Sequence, residues 1–315
     1  MKMKILIPID FSDVTFRQLE AVRPFALQED IEIELLHVHH VDAHRFPFVK
    51  SKDGFSIEEQ HRLMKLHLRN LNMLLGKETN IQTRFVNGKP VRVIVDRAKQ
   101  FDLIIVGNQG HGAKHPQVFG SVARAIFKKV KIPVLVVPLN GERPKVRIAD
   151  ITMGVDFGPE TSALGKMAIG YAKRFGAKLH LVSVLTTMDL LAETPALISS
   201  AKDIRHQLRQ SNERLSKVRQ EVSPASTEPD DIEITCEVDF GDPAEQLLEI
   251  AKRVESDWIL IGTHGHGMAY DLIMGSTTEQ ILQEADCPVL LIPAIEKKAK
   301  HKREESKVSS QLHLT

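Results

Sequence analysis

The sequence predicts two tandem α/β domains, each built on a parallel sheet with helices on both faces. Short apolar runs alternate with segments of helical periodicity, the same order of segments occurs twice, and each copy has a Gly-x-x-Gly sequence directly after an apolar run. Strands that alternate with helices require right-handed crossovers, which place the strands parallel in one sheet. A chain of 315 residues is long enough for two such domains.

The first copy reads as alternating strands and helices. Apolar residues at helical spacing, such as Phe16, Leu19 and Val22, distinguish the helices from the β-branched or alternating strands. The predicted strands are Ile5–Ile9, Ile31–Val38, Ile81–Val86, Leu103–Val106 and Pro133–Val137, and the predicted helices are Thr15–Leu27, Ile57–Leu75, Val91–Lys99 and Val122–Val130.

A second copy follows a linker that contains proline and arginine. Its predicted strands are Ile151–Val155, Leu179–Leu185, Ile232–Val238, Trp258–Ile261 and Pro288–Ile292, and its predicted helices are Ser162–Phe175, Ala196–Val222, Ala244–Val254 and Thr277–Gln283. The chain is therefore a tandem duplication. We predict domains at residues 1–140 and 148–294, a linker at 141–147 and a charged, flexible tail at 295–315.

The composition argues against several classes of protein. A net charge of +1 gives no field that would favour nucleic acid or an anionic membrane surface. The two cysteines, Cys236 and Cys287, lack the spacing of metal ligands and argue against a disulfide framework. The apolar run at the N-terminus is too short for a signal peptide, and no run approaches the length of a membrane span. We therefore expect a cytoplasmic protein.

Each copy carries one glycine pattern after its fourth strand. Glycine lets the chain turn sharply and approach a ligand closely, and free amides with a hydroxyl at a helix N-terminus suit a phosphate. The alternative is that the glycines only form turns and that Ser276 to Glu279 is a capping box. The pattern Gly-x-x-Gly, nine residues, Gly-Ser comprises Gly107, Gly110, Gly120 and Ser121 in the first copy and Gly262, Gly265, Gly275 and Ser276 in the second.

These residues resemble the universal stress protein (UspA-type) family. The resemblance covers residues 2–139 and 148–294 and includes Asp10 and Asp156 after the first strand of each copy and the Pro-Val-Leu strand that ends it. ATP-binding members of the family carry Gly-x-x-Gly-x9-Gly-[Ser/Thr]. The resemblance implies a Rossmann-like fold of the adenine nucleotide alpha hydrolase type, with five parallel strands in the order 3-2-1-4-5. Strands 1 and 4 then flank a switch point, where ligands bind in such sheets.

The resemblance implies an ATP, ADP or AMP site at this crevice in each domain. The aspartate after the first strand and a valine at the end of the second strand would contact adenine and ribose. The glycines and the serine of the pattern would hold the phosphates. A carboxylate beside the nucleotide also suits Mg²⁺, and the alternative role for both aspartates is a helix N-cap. The first site would comprise Asp10, Val38, Gly107, Gly110, His111, Gly120 and Ser121, and the second Asp156, Val184, Gly262, Gly265, His266, Gly275, Ser276 and Thr277.

The two copies differ in charge near the glycine pattern. The family often has arginine where this sequence has His111 and His266, and imidazole carries less charge at neutral pH. The first copy has Lys114 and Arg124, whereas the second has no cation in its loop and has Glu279 in place of Arg124. A cation near a helix N-terminus is unfavourable unless an anion is close. This difference predicts tighter triphosphate binding in the first site.

Enzymatic alternatives lack their sequence signatures. Neither a lysine-containing phosphate-binding loop nor a Gly-x-Ser-x-Gly nucleophile motif occurs. A metal site at His37, His39, His40 and His44 is a weaker alternative, because no Cys or Glu completes a zinc set. The resemblance predicts a nucleotide-dependent regulatory protein of the stress response with at most slow ATP hydrolysis. The alternative is an interaction scaffold of the same fold that binds no nucleotide or binds another small ligand.

The resemblance also implies dimers that form through the fifth strand. Val134–Val137 and Val289–Ile292 would lie at sheet edges in the order 3-2-1-4-5, and exposed apolar edges favour pairing. We expect the two domains to pair with each other through these strands, so that one chain forms a pseudo-dimer. Association of two chains into a homodimer is left open by the sequence.

Overall fold

The computed structural model describes residues 2–12, 14–26, 31–39, 56–75, 80–109, 120–189, 201–223, 232–262 and 275–293. The strands are β1 Met3–Pro8, β2 Ile31–His39, β3 Asn80–Asn87, β4 Leu103–Gly107, β5 Val134–Val137, β6 Asp150–Gly154, β7 Lys178–Leu185, β8 Ile234–Phe240, β9 Trp258–Gly262 and β10 Val289–Ile292. The helices are α1 Val14–Glu20, α2 Arg23–Ala26, α3 Ile57–Leu75, α4 Pro90–Ala98, α5 Ser121–Phe127, α6 Thr161–Phe175, α7 Ala201–Val222, α8 Pro243–Arg253 and α9 Ser276–Glu284.

The predicted elements occur in the predicted order, with one exception in the first helix. It was expected to run from Thr15 to Leu27, but α1 ends at Glu20 and α2 begins at Arg23. Pro24 explains the break, because proline has no amide hydrogen to donate to the carbonyl of Glu20 one turn earlier. Leu27, the predicted helical residues 196–200 and the predicted tail lie outside the described residues. Of the helices described, none has both the length and the apolar character needed to cross a membrane.

The ten described strands form one sheet in the order β3-β2-β1-β4-β5-β10-β9-β6-β7-β8. Within each half the order is 3-2-1-4-5 and neighbouring strands are parallel, so the predicted fold class is confirmed. The halves join through β5 and β10, which pair antiparallel. Leu135 lies opposite Leu290, its equivalent in the second copy. The expected pairing of the fifth strands is therefore present within one chain, and these strands lie at the centre of the sheet.

Helices on both faces bury the central strands along their length. Alternate residues of a strand point to opposite faces, so Leu290 packs in one apolar cluster and Leu291 in the other. Each cluster contains residues of both halves. Trp258 of the second half packs against Phe25 of the first half and against Phe175, with ring centroids 5.6 and 5.1 Å away. The two halves thus share one continuous core on each face.

The chain between the halves is held by groups from both of them. The guanidinium of Arg17 donates to the carbonyl oxygens of Gly141 and Glu142 at 3.1 and 3.2 Å. The amide of Glu142 donates to the carbonyl of Asp286 at 3.0 Å. Gly141 has φ 115°, and a Cβ there would lie 2.4 Å from the same carbonyl oxygen, so only glycine fits this position. The linker is therefore a packed part of the structure.

Candidate functional site

The candidate site in each half is the crevice at the carboxyl ends of two neighbouring strands. β1 pairs with both β2 and β4, and β6 pairs with both β7 and β9, so the crossovers leave each pair in opposite directions. Asp10 follows β1 and Gly107 ends β4, whereas Asp156 follows β6 and Gly262 ends β9. The fold brings each aspartate and its glycine together at the carboxyl ends of the strands, which is the place where ligands bind in open α/β sheets.

Most of the predicted site residues lie among the described residues. Val38 lies near the end of β2, and Val184 occupies the equivalent position of β7. The valines therefore lie at the same edge as the aspartates. The remaining predicted residues Gly110, His111, Gly265 and His266 lie outside the described residues, as do Lys114, His40 and His44.

The turn after the first strand of each half has an unusual backbone. Phe11 has φ 62° and Phe157, at the equivalent position, has φ 56°. Residues other than glycine rarely adopt this left-handed conformation, and it is strained for a bulky side chain. The same unfavourable conformation therefore occurs at the same position in both copies.

The aspartates at these turns use one carboxylate oxygen to hold the turn itself. Oδ1 of Asp10 accepts from the amide of Ser12 at 3.0 Å, and Oδ1 of Asp156 accepts from the amide of Gly158 at 2.9 Å. Both bonds are Asx turns. The N-cap of α6 is Glu160, so the alternative role of helix N-cap is wrong for Asp156. Within the described residues Oδ2 of Asp156 accepts no hydrogen bond, which leaves it available to a ligand.

Imidazole rings lie around the strained turn of the first half. Nδ1 of His37 donates to the carbonyl of Ile9 at 2.9 Å. The ring of Phe11 lies 4.5 Å from that of His37 and 5.8 Å from that of His67. Burial lowers the pKa of His67 to about 4, so it is uncharged at neutral pH. The Nδ1 atoms of His67 and His39 are buried without a hydrogen-bond partner among the described residues. The first crevice is therefore bordered by imidazole rings, and that of His67 is uncharged at neutral pH.

A metal site at these histidines receives no support from the residues described. Nowhere in that part of the chain do three or more His, Cys, Asp or Glu side chains come together in a way that could hold a metal ion. Nδ1 of His37 is also engaged with a carbonyl oxygen. Because His40 and His44 are not described, the four-histidine alternative stays a prediction.

The glycines of the pattern have different structural roles. A Cβ at Gly107 would lie 2.4 Å from Cγ1 of Val14, so this glycine permits α1 to pack against β4. The amide of Gly120 donates to the carbonyl of Asn108 at 2.7 Å, so it is not the free amide that the sequence led us to expect. A Cβ at Gly275 would meet no atom of the described residues within 4 Å. Gly107 thus serves packing, whereas the described residues leave the space beside Gly275 open.

The helices that follow the glycine loops begin without a side-chain cap. Their N-cap residues are Gly120 and Gly275, and neither α5 nor α9 receives a cap hydrogen bond from a side chain. In contrast, the N-cap Asp242 of α8 accepts from two amides of its helix. The capping box predicted as an alternative at Ser276 is wrong, because Ser276 is the first helical residue and the carboxylate of Glu279 pairs with another helix. The first amides of α9 are left to another acceptor.

Comparison with known proteins decides the family. A model of the universal stress protein family matches residues 1–138 and 148–293. The chain belongs to the universal stress protein family. It is similar to a universal stress protein of Mycobacterium tuberculosis (strain H37Rv), which is 22% identical over 272 residues that cover 84% of this chain and 88% of that protein. A universal stress protein of Methanocaldococcus jannaschii is 29% identical over 153 residues, which cover 49% of this chain and 85% of that protein.

Solved structures show the same fold. The chain is similar to a universal stress protein from Archaeoglobus fulgidus, with a TM-score of 0.61, 20% identity and coverage of 93% of this chain and 97% of the other. A putative universal stress protein from Pseudomonas aeruginosa gives a TM-score of 0.60, 16% identity and 93% coverage of both chains. A universal stress protein in complex with cAMP covers only 43% of this chain and 96% of its own, with 22% identity and a TM-score of 0.33. That ligand is a property of that protein.

The two halves of this universal stress protein differ in where their arginines lie. Nη2 of Arg124 on α5 lies 2.5 Å from Oε1 of Glu279 on α9. The charge of Arg124 is therefore balanced within the protein. Arg124 thus no longer supports the predicted preference of the first site for a triphosphate. In the second half, Cζ of Arg214 lies 4.2 Å from the ring centroid of Phe157. Arg214 was not among the predicted site residues, because it lies on α7, away in sequence from the glycine loops and the helices that follow them.

Proposed function

We propose that this universal stress protein binds an adenine nucleotide at the crevice of each half and acts as a nucleotide-dependent regulator of the stress response. The observation that carries the proposal is at Gly275, where α9 begins without a side-chain cap and the described residues leave space open beside the N-cap residue. A helix N-terminus in this state offers amide donors and a partial positive charge to a phosphate. The crevice of the second half also contains Oδ2 of Asp156, which accepts no hydrogen bond from the described residues.

The repeated backbone strain supports a ligand role for this edge of the sheet. Phe11 and Phe157 hold left-handed backbones directly after the aspartates in both copies. Strain of this kind is concentrated at ligand sites, where the surrounding structure holds an unfavourable conformation in place. A scaffold without a ligand gives no reason to retain the same strained turn twice.

Each group at the crevice fits one part of an adenine nucleotide. The aspartates accept a hydrogen bond from a ribose hydroxyl, and the backbone near Val38 and Val184 faces the base. The helix starts at Ser121, Ser276 and Thr277 supply amides and hydroxyls to the phosphates. The proposed loops also include Gly110, His111, Gly265 and His266. Oδ2 of Asp156, which accepts no hydrogen bond from the described residues, suits Mg²⁺ bound together with the phosphates.

The proposal includes at most slow hydrolysis of ATP. The sequence has no phosphate-binding loop with a lysine to stabilise the transferring phosphoryl group. Binding rather than turnover would then carry the signal, because a ligand that orders the glycine loops shifts the population of conformations.

The test uses the full-length protein freed of small molecules and titrated calorimetrically with ATP and Mg²⁺. Wild type is expected to show two binding events, and Gly275→Val, which fills the open space, is expected to lose one of them. Gly170→Val is the matched control, because a Cβ at Gly170 on α6 also meets no described atom within 4 Å and Gly170 is not part of the predicted site. Absence of nucleotide uptake by a folded wild type would favour the scaffold without nucleotide.

A further inference from the structure

Arg214 lies beside the strained turn of the second half. It is an exposed residue of α7, and the next residue, Leu215, is fully buried against the sheet. The guanidinium lies over the ring of Phe157, with Cζ 4.2 Å from the ring centroid. Phe157 is itself packed against the apolar core. The contact with an anchored ring favours this position of the guanidinium.

The donors of this guanidinium have no acceptor among the described residues. Within the described residues, Arg214 makes neither a hydrogen bond nor an ion pair. Arg97 and Arg124, in contrast, are each paired with a carboxylate at 2.5 Å, on Glu34 and Glu279. A guanidinium that stacks by its face keeps the N–H groups of its edge free, and this edge matches the oxygens of a phosphate. Arg214 is therefore equipped to bind an anion from outside the protein.

The position of the ring ties Arg214 to the crevice. Phe157 directly follows Asp156, and its left-handed backbone, with φ 56°, sets the direction of the ring relative to the carboxylate. Asp156 is in turn fixed by bonds to the amide of Gly158 and the hydroxyl of Thr161 at 2.9 and 3.3 Å. The same turn thus holds the carboxylate of Asp156, which can accept from a hydroxyl, and the ring of Phe157, which holds the guanidinium of Arg214 as a donor for an anion.

The first half has no such cation at the equivalent position. Met64 and Leu71 on α3 are buried seven residues apart, as are Leu215 and Val222 on α7, so Leu63 corresponds to Arg214. The described rings near Phe11 include those of His37 and His67, and His67 is uncharged at neutral pH because burial lowers its pKa. At this helical position the two halves therefore differ in charge.

We propose that Arg214 is the anion-recognising residue of the second crevice and makes that crevice select phosphorylated nucleotides over the nucleoside. This inference rests on the proposed function and deepens it. It also reverses the difference expected from the sequence, because the cation expected to favour phosphate in the first half, Arg124, is paired with Glu279. The first crevice is left to discriminate less between adenosine and its phosphates.

The experiment measures the binding of adenosine, AMP and ATP to the full-length protein by calorimetry. Arg214→Leu introduces the residue found in the first half, and we expect ATP and AMP binding at one of the two sites to weaken about 10- to 100-fold, the range for loss of charged hydrogen bonds. Adenosine binding is expected to stay unchanged. Arg214→Lys, which keeps the charge but lacks the planar fork, is expected to fall between the two. Arg209→Leu, an exposed arginine of the same helix, is the control.

A second variant assigns the effect to the second half. Because Gly275→Val is expected to remove binding there, adding Arg214→Leu to it should leave the remaining site unchanged. An equal loss of adenosine and ATP affinity in Arg214→Leu, or an unchanged ratio of the two, would overturn the role of Arg214 while leaving nucleotide binding intact. A wild type that takes up no nucleotide would instead overturn the proposed function itself, and this inference with it.

Discussion

Arg124 and Glu279 occupy equivalent positions in the two halves and pair with each other across the junction, with Nη2 and Oε1 2.5 Å apart. Each is the third residue after the serine of its Gly-Ser pair. In a symmetric dimer of identical domains, a residue on the two-fold axis meets its own copy, and a charged residue would meet a like charge. Duplication within one chain allows the two positions to carry opposite charges.

Charge reversal tests this relationship. Arg124→Glu or Glu279→Arg places like charges together, and each is expected to lower the free energy of unfolding by up to about 1 kcal/mol, since both side chains are partly exposed. The double reversal is expected to restore most of the loss. Urea unfolding of the four proteins gives the coupling energy. If the two single effects simply add in the double variant, the contact contributes nothing in solution.

Packing at Gly107 gives a second prediction. Because a Cβ would lie 2.4 Å from Cγ1 of Val14, Gly107→Ala is expected to destabilise the protein by about 1–3 kcal/mol, as overpacking does. Val14→Ala in the same chain should recover part of the loss by making room. Gly275→Ala is the control, because its methyl group meets no described atom within 4 Å, and its unfolding midpoint should not change. Equal losses for the two glycines would contradict the packing argument.

The buried imidazole of His67 predicts a dependence of stability on pH. In the unfolded chain it takes up a proton near pH 6.5, whereas burial lowers its pKa in the folded protein to about 4. Between these values the unfolded state binds more protons, so the free energy of unfolding falls as the pH is lowered through this window. Once the pH is below 4, this group has lowered the free energy of unfolding by roughly 3 kcal/mol relative to neutral pH.

His67→Val, which introduces the residue of the second half, checks this dependence. The variant is expected to lose the part of the pH dependence between pH 6.5 and 4 and to keep its stability above pH 7. His206→Val on α7, where the imidazole is exposed, serves as the control. A slope as steep in His67→Val as in wild type would assign the pH dependence to other groups.

The aromatic contact between the halves predicts that they unfold together. Phe25→Ala removes a buried ring that packs against both Trp258 and Phe175 of the second half, and we expect a loss of about 3–5 kcal/mol. Phe16→Ala, where the ring is 46% exposed, should cost much less. Calorimetry should show one transition for wild type. Two separate transitions in wild type would show that the shared core does not couple the halves.

How far the sequence could predict the structure differs between elements and contacts. Periodicity predicted the order of strands and helices, because burial of one face leaves a trace in consecutive residues. It missed the break between α1 and α2, where a single proline at position 24 outweighs the apolar spacing around it. It also led us to expect a free amide at Gly120, which instead donates to the carbonyl of Asn108, twelve residues away along the chain.

The sequence by itself determined that the chain is a duplicated α/β protein and that the candidate site of each half lies at the carboxyl ends of its strands. The carboxyl ends of parallel strands lie at the same end of a sheet, so Asp10 and Gly107 had to lie at that end together. Only the tertiary structure decided that Arg124 is paired with Glu279, that Arg214 lies over Phe157 and that His67 is buried. These contacts join residues far apart in the chain, and packing between helices, which leaves no local pattern, sets them.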